Sequence, residues 1–167
     1  MFKMRSIAMA AAMLAVPCVS VGLMQAQVEV KHIQTEGAAI ATGVWAGDTY
    51  YLSGQLASPV TPADSAKNTP AVYGDTKTQA FSALTKIQTL LKAQGLDMKD
   101  VVKMTVFMAG DPALGGKLDF TGMMASYTQF FGTKEQPNKP ARSAMQVAAL
   151  AAPWALIEIE VIAVKSK

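Results

Sequence analysis

Few residues in this chain can do chemistry, and the most capable sit near its C-terminal end. In Pro140-Ala141-Arg142-Ser143 an arginine opens an extended run just after a proline. Proline fixes its own φ and biases the residue before it to extended backbone, so the guanidinium leaves the chain from a restrained root. Its planar fork matches a carboxylate with two parallel hydrogen bonds. Further on, Leu156-Ile157-Glu158-Ile159-Glu160 sets two carboxylates two positions apart in an apolar strand. A glutamate close to a bound substrate can take a proton from water or relay one. The same segments also fit a plainer role, in which Arg142 pairs with Glu158 or Glu160 to hold subunits together.

Other chemistries lack their residues. His32 is the only histidine and falls in the N-terminal segment, where a surface or edge-strand place is expected. One histidine without cysteines does not make a catalytic zinc site, so no metal is expected. Gly115-Gly116 is loop punctuation rather than a phosphate cradle, and no Gly-x-Ser-x-Gly element occurs. Ser53, in Ser53-Gly54-Gln55, ends a strand with no histidine to activate it. The 11 methionines, where they fall at helical spacing, read as core filler rather than metal ligands.

Composition bounds the rest. A chain of 167 residues with 51% apolar content suits one domain with a sizeable core. Residues 1–26 have the form of a secretory leader: Lys3 and Arg5, an uncharged apolar run from Ser6 to Met24, then Gln25-Ala26-Gln27. Pro17 and Gly22 interrupt that run, which is shorter in its apolar part than a membrane-spanning helix requires. The expectation is a cleaved leader, a single domain over 27–167, no stable membrane anchor and a periplasmic or secreted location. Cys18, the only cysteine, falls inside the leader, so the mature chain has no disulfide, thiolate site or cysteine nucleophile. Losing Lys3 and Arg5 leaves 13 basic against 12 acidic residues, a balance that gives nucleic acid no electrostatic footprint.

The elements that must position Arg142 and Glu158 can be read in order. Val28-Glu29-Val30 alternates, and residues 43–52 hold two apolar runs about a Gly47-Asp48 turn, a hairpin pattern. Residues 57–73, with Pro59, Pro62 and Pro70, form a long loop of the kind that often lines sites. A helix follows, with Thr76 and Gln79 at capping-box spacing and Ala80, Phe81, Leu84, Ile87 and Leu91 at helical period, ended by Gly95. Val101 to Met108 is a buried strand. Phe120, Met123, Met124, Tyr127 and Phe131 mark a second helix, capped by Gly132. Two strands close the chain, near 141–150 and 155–164. Two helices for five or six strands predict an α+β fold, one sheet with both helices on one face. In the last strand Ile157, Ile159, Val161 and Ala163 point one way, and Leu156, Glu158, Glu160 and Ile162 the other. Carboxylates flanked by Leu and Ile suit a partly buried subunit interface.

Several strings together resemble the RidA/YjgF family. They are Tyr50-Tyr51-Leu52-Ser53-Gly54-Gln55, Asp100-Val101-Val102-Lys103-Met104-Thr105-Val106-Phe107, Pro140-Ala141-Arg142-Ser143 and Ile157-Glu158-Ile159-Glu160-Val161-Ile162-Ala163-Val164, in unbroken order. The resemblance implies a chorismate-mutase-like α+β fold with a single mixed sheet. It also implies a homotrimer formed through the free sheet face, with clefts between subunits. The implied activity is hydrolysis of 2-imino and enamino acids to 2-oxo acids and ammonia, without metal or cofactor. Arg142 then matches the residue that clamps the substrate carboxylate, and Glu158 the one that positions the attacking water. Gly54, with Ser53 beside it, matches the backbone lining of the cleft. Three positions depart from the family pattern. Ala144 stands where deaminating members often carry cysteine, Met124 replaces an asparagine, and Ala38-Ala39-Ile40 stands in place of Gly-Pro-Tyr. The alternative is a non-catalytic trimer, binding small carboxylates or acting as a chaperone.

Overall fold

The computed structural model describes residues 27–166, so the expected leader lies outside the described residues. Six strands and two α-helices follow one another as β1 (Val30–Ile33), β2 (Gly43–Ala46), β3 (Thr49–Leu56), α1 (Thr76–Lys92), β4 (Val101–Met108), α2 (Phe120–Tyr127), β5 (Ala141–Gln146) and β6 (Ile157–Val164). All six strands form one sheet in the order β1-β2-β3-β6-β4-β5. Only the β4–β5 pair is parallel, so the sheet is mixed and the α+β expectation holds.

The β2–β3 hairpin closes through Gly47-Asp48 as the pattern predicted, with Gly47 at a φ of 58° that favours glycine. His32 is exposed on β1, an edge strand. The loop at 57–73 is more ordered than its prolines suggested. It folds back on itself through bridges between Thr61 and Val72 and between Asp64 and Thr69. Tyr73 then stacks on Trp154, with ring centroids 3.5 Å apart.

α1 starts one residue earlier than its capping-box spacing implied. Asp75, not Thr76, is the N-cap, and its carboxylate accepts from the Thr78 N–H at 2.8 Å. That frees Gln79 for another task. Its buried amide donates to the carbonyls of Gly74 (3.1 Å) and Trp154 (3.3 Å) and accepts from the Leu156 N–H (2.9 Å). Gln79 thereby ties the start of α1 to the chain entering β6. Phe81 lies off the buried stripe and is exposed beside Phe130, because Ala80, Ala83, Leu84, Ile87 and Leu91 already fill the inward face. α2 is shorter than expected. It stops at Tyr127, and Phe131 reaches the core from the turns that follow, before Gly132 at φ 72°. The last two strands are also trimmed, β5 ending at Gln146 and β6 beginning at Ile157.

Both helices lie on one face of the sheet. Tyr50, Leu52, Met104, Val106, Met108, Ile157, Ile159, Val161 and Ala163 are buried on that side with the inward residues of α1 and α2. Each fully buried Leu or Ile contributes roughly 2 kcal/mol, so this single layer supplies most of the stability. The other face carries Tyr51 and Val102, 47% and 48% exposed, with Lys103, Thr105, Glu158, Glu160 and Ile162 half-buried beside them. Nothing among the described residues covers it.

Candidate functional site

Parity along the strands decides which side each candidate occupies. β5 pairs with β4 so that Arg142 lies opposite Met104 and Ser143 opposite Thr105. Met104 is fully buried on the helix side, so Arg142 projects to that side from an edge strand. Ser143 takes the other face, where Lys103 Nζ donates to its Oγ at 3.2 Å.

The arginine meets α2. Phe120, Met123, Met124 and Tyr127 recur at helical spacing along one stripe, and all four touch the guanidinium. Its carbon sits 4.4 Å from the Tyr127 ring centroid and 5.7 Å from that of Phe120, within cation–π range. Nη1 donates to Met124 Sδ at 3.1 Å and to Met123 Sδ at 3.7 Å. Thioether sulfur is a weak acceptor, so these contacts orient the fork without satisfying it. Among the described residues no carboxylate lies within 4 Å of Arg142, and the intrachain form of a pair with Glu158 or Glu160 does not occur. Burial pushes the Tyr127 phenol above its ordinary pKa, with the Arg142 charge pulling weakly the other way.

Glu158 lies on the opposite face. It stands between Phe107 of β4 and Leu56 of β3, and among the described residues no hydrogen bond holds its carboxylate. The carboxylate rests over Gly54, at the register shift between Leu52 and Gln55 where β3 bulges. A side chain at Gly54 would occupy the space of Glu158 Oε1, so the glycine is what lets the glutamate lie there. Ser53 Oγ donates to the Ala41 carbonyl at 2.7 Å, a structural bond that fits its poor prospects as a nucleophile.

Of the six residues singled out in the sequence, the fold therefore makes two groups. Arg142, Met124 and Ala144 share the helix side at the β5 edge, Ala144 standing opposite buried Val106. Gly54 and Glu158 share the free face, with Ser53 next to them in β3. One layer of sheet separates the groups, so no single chain directs both at one ligand. The box around Arg142 went unread in the sequence because Phe120, Met123 and Tyr127 look like ordinary core positions. Its signal is a helix stripe of two aromatics and two thioethers with a strand-initial arginine downstream. Met123 and Tyr127 are indeed buried, and they serve the core and the arginine together.

The 109–118 loop is fixed to the same edge. Pro112–Leu114 forms a short 3₁₀ turn capped by Asp111. Gln146, at the end of β5, accepts from the Leu118 N–H at 3.0 Å and donates to the Gly116 carbonyl at 2.9 Å. Four residues from Arg142, this clamp sets the rim of the edge on which the arginine sits.

Known proteins share this architecture and much of the sequence. The endoribonuclease L-PSP family model matches residues 33–165. A RutC family protein of Haemophilus influenzae is 36% identical over 140 residues, covering 82% of this chain and 97% of that one. The 2-iminobutanoate/2-iminopropanoate deaminase of Escherichia coli K12 is also 36% identical over 140 residues, covering 81% and 98%. Among solved structures, E. coli TdcF with bound serine aligns with a TM-score of 0.62 at 33% identity, over 81% of this chain and 99% of that one. A YjgF-family protein of Neisseria meningitidis aligns at 0.63 and 21% identity, which speaks to the fold alone. With the single mixed sheet, the two helices on one face and matches that run almost the whole described length, this chain belongs to the RidA/YjgF family, the group described by the endoribonuclease L-PSP model.

Proposed function

We propose that the protein hydrolyses 2-imino and enamino acids to 2-oxo acids and ammonia, in a cleft built by two neighbouring copies of the chain. The carrying observation is Arg142: a half-buried cation, held by aromatic faces and thioethers, with no anionic partner among the described residues. A substrate carboxylate offers what the sulfurs do not, two charged acceptors matched to the fork. The deaminase names of relatives such as the E. coli protein support the reaction class. The split of the site across the sheet supports a cleft between copies, because Glu158 and Gly54 must come from a second chain to face Arg142. The uncovered face, with its exposed Tyr51 and Val102, supports packing of copies sheet to sheet, as the homotrimer expected of the family requires.

The chemistry asks little of the protein. With the carboxylate clamped, the iminium carbon is already electrophilic, and water held by Glu158 adds to it. Glu158 takes the water proton as the C–O bond forms and returns it to nitrogen. The hydroxyl of the resulting protonated carbinolamine then gives its proton to Glu158 as the C=O bond forms and the C–N bond breaks. Glu158 passes it to the departing ammonia, and ammonium leaves with the 2-oxo acid. Substrates of this kind arise outside the cytoplasm when an amino acid is oxidised there, and we place the protein in the periplasm or the medium. Cell fractionation that finds the mature form only in the cytosol would overturn that placement.

The test is imine hydrolysis by the chain from Gln27 onward. An amino-acid oxidase with catalase generates the imine, and semicarbazide trapping reports its lifetime. Wild type should shorten that lifetime, while Arg142→Ala and Glu158→Ala should not. Binding of 2-oxobutanoate that depends on Arg142, without any acceleration, would instead establish the non-catalytic carboxylate binder. Ala144 and Met124, which bring no strong donor to the site, favour that second reading.

A further inference from the structure

The two hydrogen-bond acceptors that the described residues offer the Arg142 side chain are thioether sulfurs, and they are not equivalent. Met123 is 2% exposed and its sulfur is 3.7 Å from Nη1, whereas Met124 is only half-buried and its sulfur is 3.1 Å away. Thioether sulfur carries two lone pairs, and the Arg142 N–H engages one of those on Met124. That bond leaves the other unused, on a side chain that is only half-buried. Oxidation replaces a weak, polarizable acceptor with a sulfoxide oxygen, a polar acceptor tethered beside the guanidinium. Methionine has enough rotatable bonds to bring that oxygen within hydrogen-bonding reach of Nη1.

We propose that Met124 is a modification site: hydrogen peroxide converts it to the sulfoxide, whose oxygen occupies the Arg142 fork and closes the carboxylate site. This rests on the reading of Arg142 as the carboxylate clamp. The step balances without a cofactor. Sulfur gives two electrons, one peroxide oxygen forms the S–O bond, the O–O bond breaks, and the second oxygen leaves as water with both protons. The oxidant belongs to the chemistry that supplies the substrate. A dioxygen-dependent amino-acid oxidation yields one imine and one hydrogen peroxide per turnover. An excess of that reaction would thus silence its own downstream hydrolase until a methionine sulfoxide reductase restores the thioether.

The mature protein is exposed to graded hydrogen peroxide, quenched with catalase, and mapped by peptide mass spectrometry. Free methionine, added to the same reaction, serves as the reference for oxidation. Two readouts follow: the side-chain N–H resonances of Arg142, and the calorimetric affinity for 2-oxobutanoate. Diverting one charge-assisted hydrogen bond should weaken that affinity about tenfold or more. The Arg142 resonances should shift with the appearance of sulfoxide at Met124. In Met124→Leu, compared before and after treatment, neither readout should change, and reductase treatment should restore wild type. Met124 remaining a thioether long after the free methionine is fully oxidised would overturn the proposal. So would sulfoxide at Met124 with unmoved Arg142 resonances, or moved resonances with unaltered affinity. If untreated protein does not bind 2-oxobutanoate at all, the functional reading fails, and the Arg142 resonances alone decide whether the sulfoxide takes the fork.

Discussion

Gly54→Ala separates the packing role of Gly54 from its functional one. A methyl group added there would overlap Glu158 Oε1 and lie 2.9 Å from Cδ and 3.1 Å from Cγ. The backbone itself accepts alanine, since Gly54 is not among the residues with positive φ. The obstacle is the free end of a flexible side chain, so Glu158 rotates away rather than forcing the sheet apart. An off-rotamer side chain costs about 0.5–1.5 kcal/mol. Alanine recovers about 0.4–1 kcal/mol by narrowing the unfolded ensemble. The net change is within about 1 kcal/mol, or roughly 3 °C in Tm for a domain of this size. Activity should respond very differently. A positioned general base supplies on the order of a hundredfold or more, so kcat should fall by about that factor. KM should stay near wild type, because Arg142 stands on another element and its surroundings are untouched. The assay is steady-state imine hydrolysis beside thermal unfolding. The double variant Gly54→Ala/Glu158→Gln provides the cycle, in which the alanine should add almost nothing once the carboxylate is gone. A stable Gly54→Ala protein with wild-type kcat would refute the role given to Glu158 at this position. A fall of more than about 10 °C in Tm would refute the claim that the glutamate can move aside.

Three other outcomes follow from particular contacts. Arg142→Lys keeps the charge but loses the fork and its fit on the Tyr127 ring, so KM should rise about tenfold or more with kcat less affected, as steady-state kinetics would show. The Tyr50 hydroxyl is buried with no hydrogen-bond partner among the described residues, so Tyr50→Phe should raise stability by about 1 kcal/mol in thermal unfolding. Asp75 caps α1, and its bonds to Thr78 hold its carboxyl below the ordinary pKa of 3.8. A carboxyl depressed in the folded state stabilises above the unfolded value and loses that contribution as pH falls through the folded one. Wild type should therefore exceed Asp75→Asn by less than about 1 kcal/mol at neutral pH, and urea unfolding should show the gap closing below pH 3.8.

Local rules carried much of this protein. Period-two alternation in residues 157–163 gave the inward and outward sets correctly, because a strand's side chains must alternate whatever the strand packs against. The Gly47-Asp48 turn and, Phe81 apart, the α1 stripe were legible for similar reasons, as was the exposure of His32 near the sheet edge. Capping was less so: Asp75 and Thr76 are both good caps, and the choice fell to Asp75 once Gln79 turned inward to hold Leu156 and Trp154. The end of α2 was misread because Phe131 continues the apolar period, though it reaches the core from a turn.

By itself the sequence determined the order and type of the elements, the two faces of the last strand and the candidates for binding a carboxylate and moving a proton. Those follow from chemistry that each residue carries with it and from periods only a few residues long. Only the tertiary structure decided where these residues meet. The parallel register of β5 against β4 sends Arg142 to the helix side, into a box of Phe120, Met123, Met124 and Tyr127. The antiparallel register of β6 sends Glu158 to the other side, over Gly54. A shift of one residue in either pairing would move its side chain through the sheet. Register is set by packing between segments far apart in the chain, and no local pattern records it.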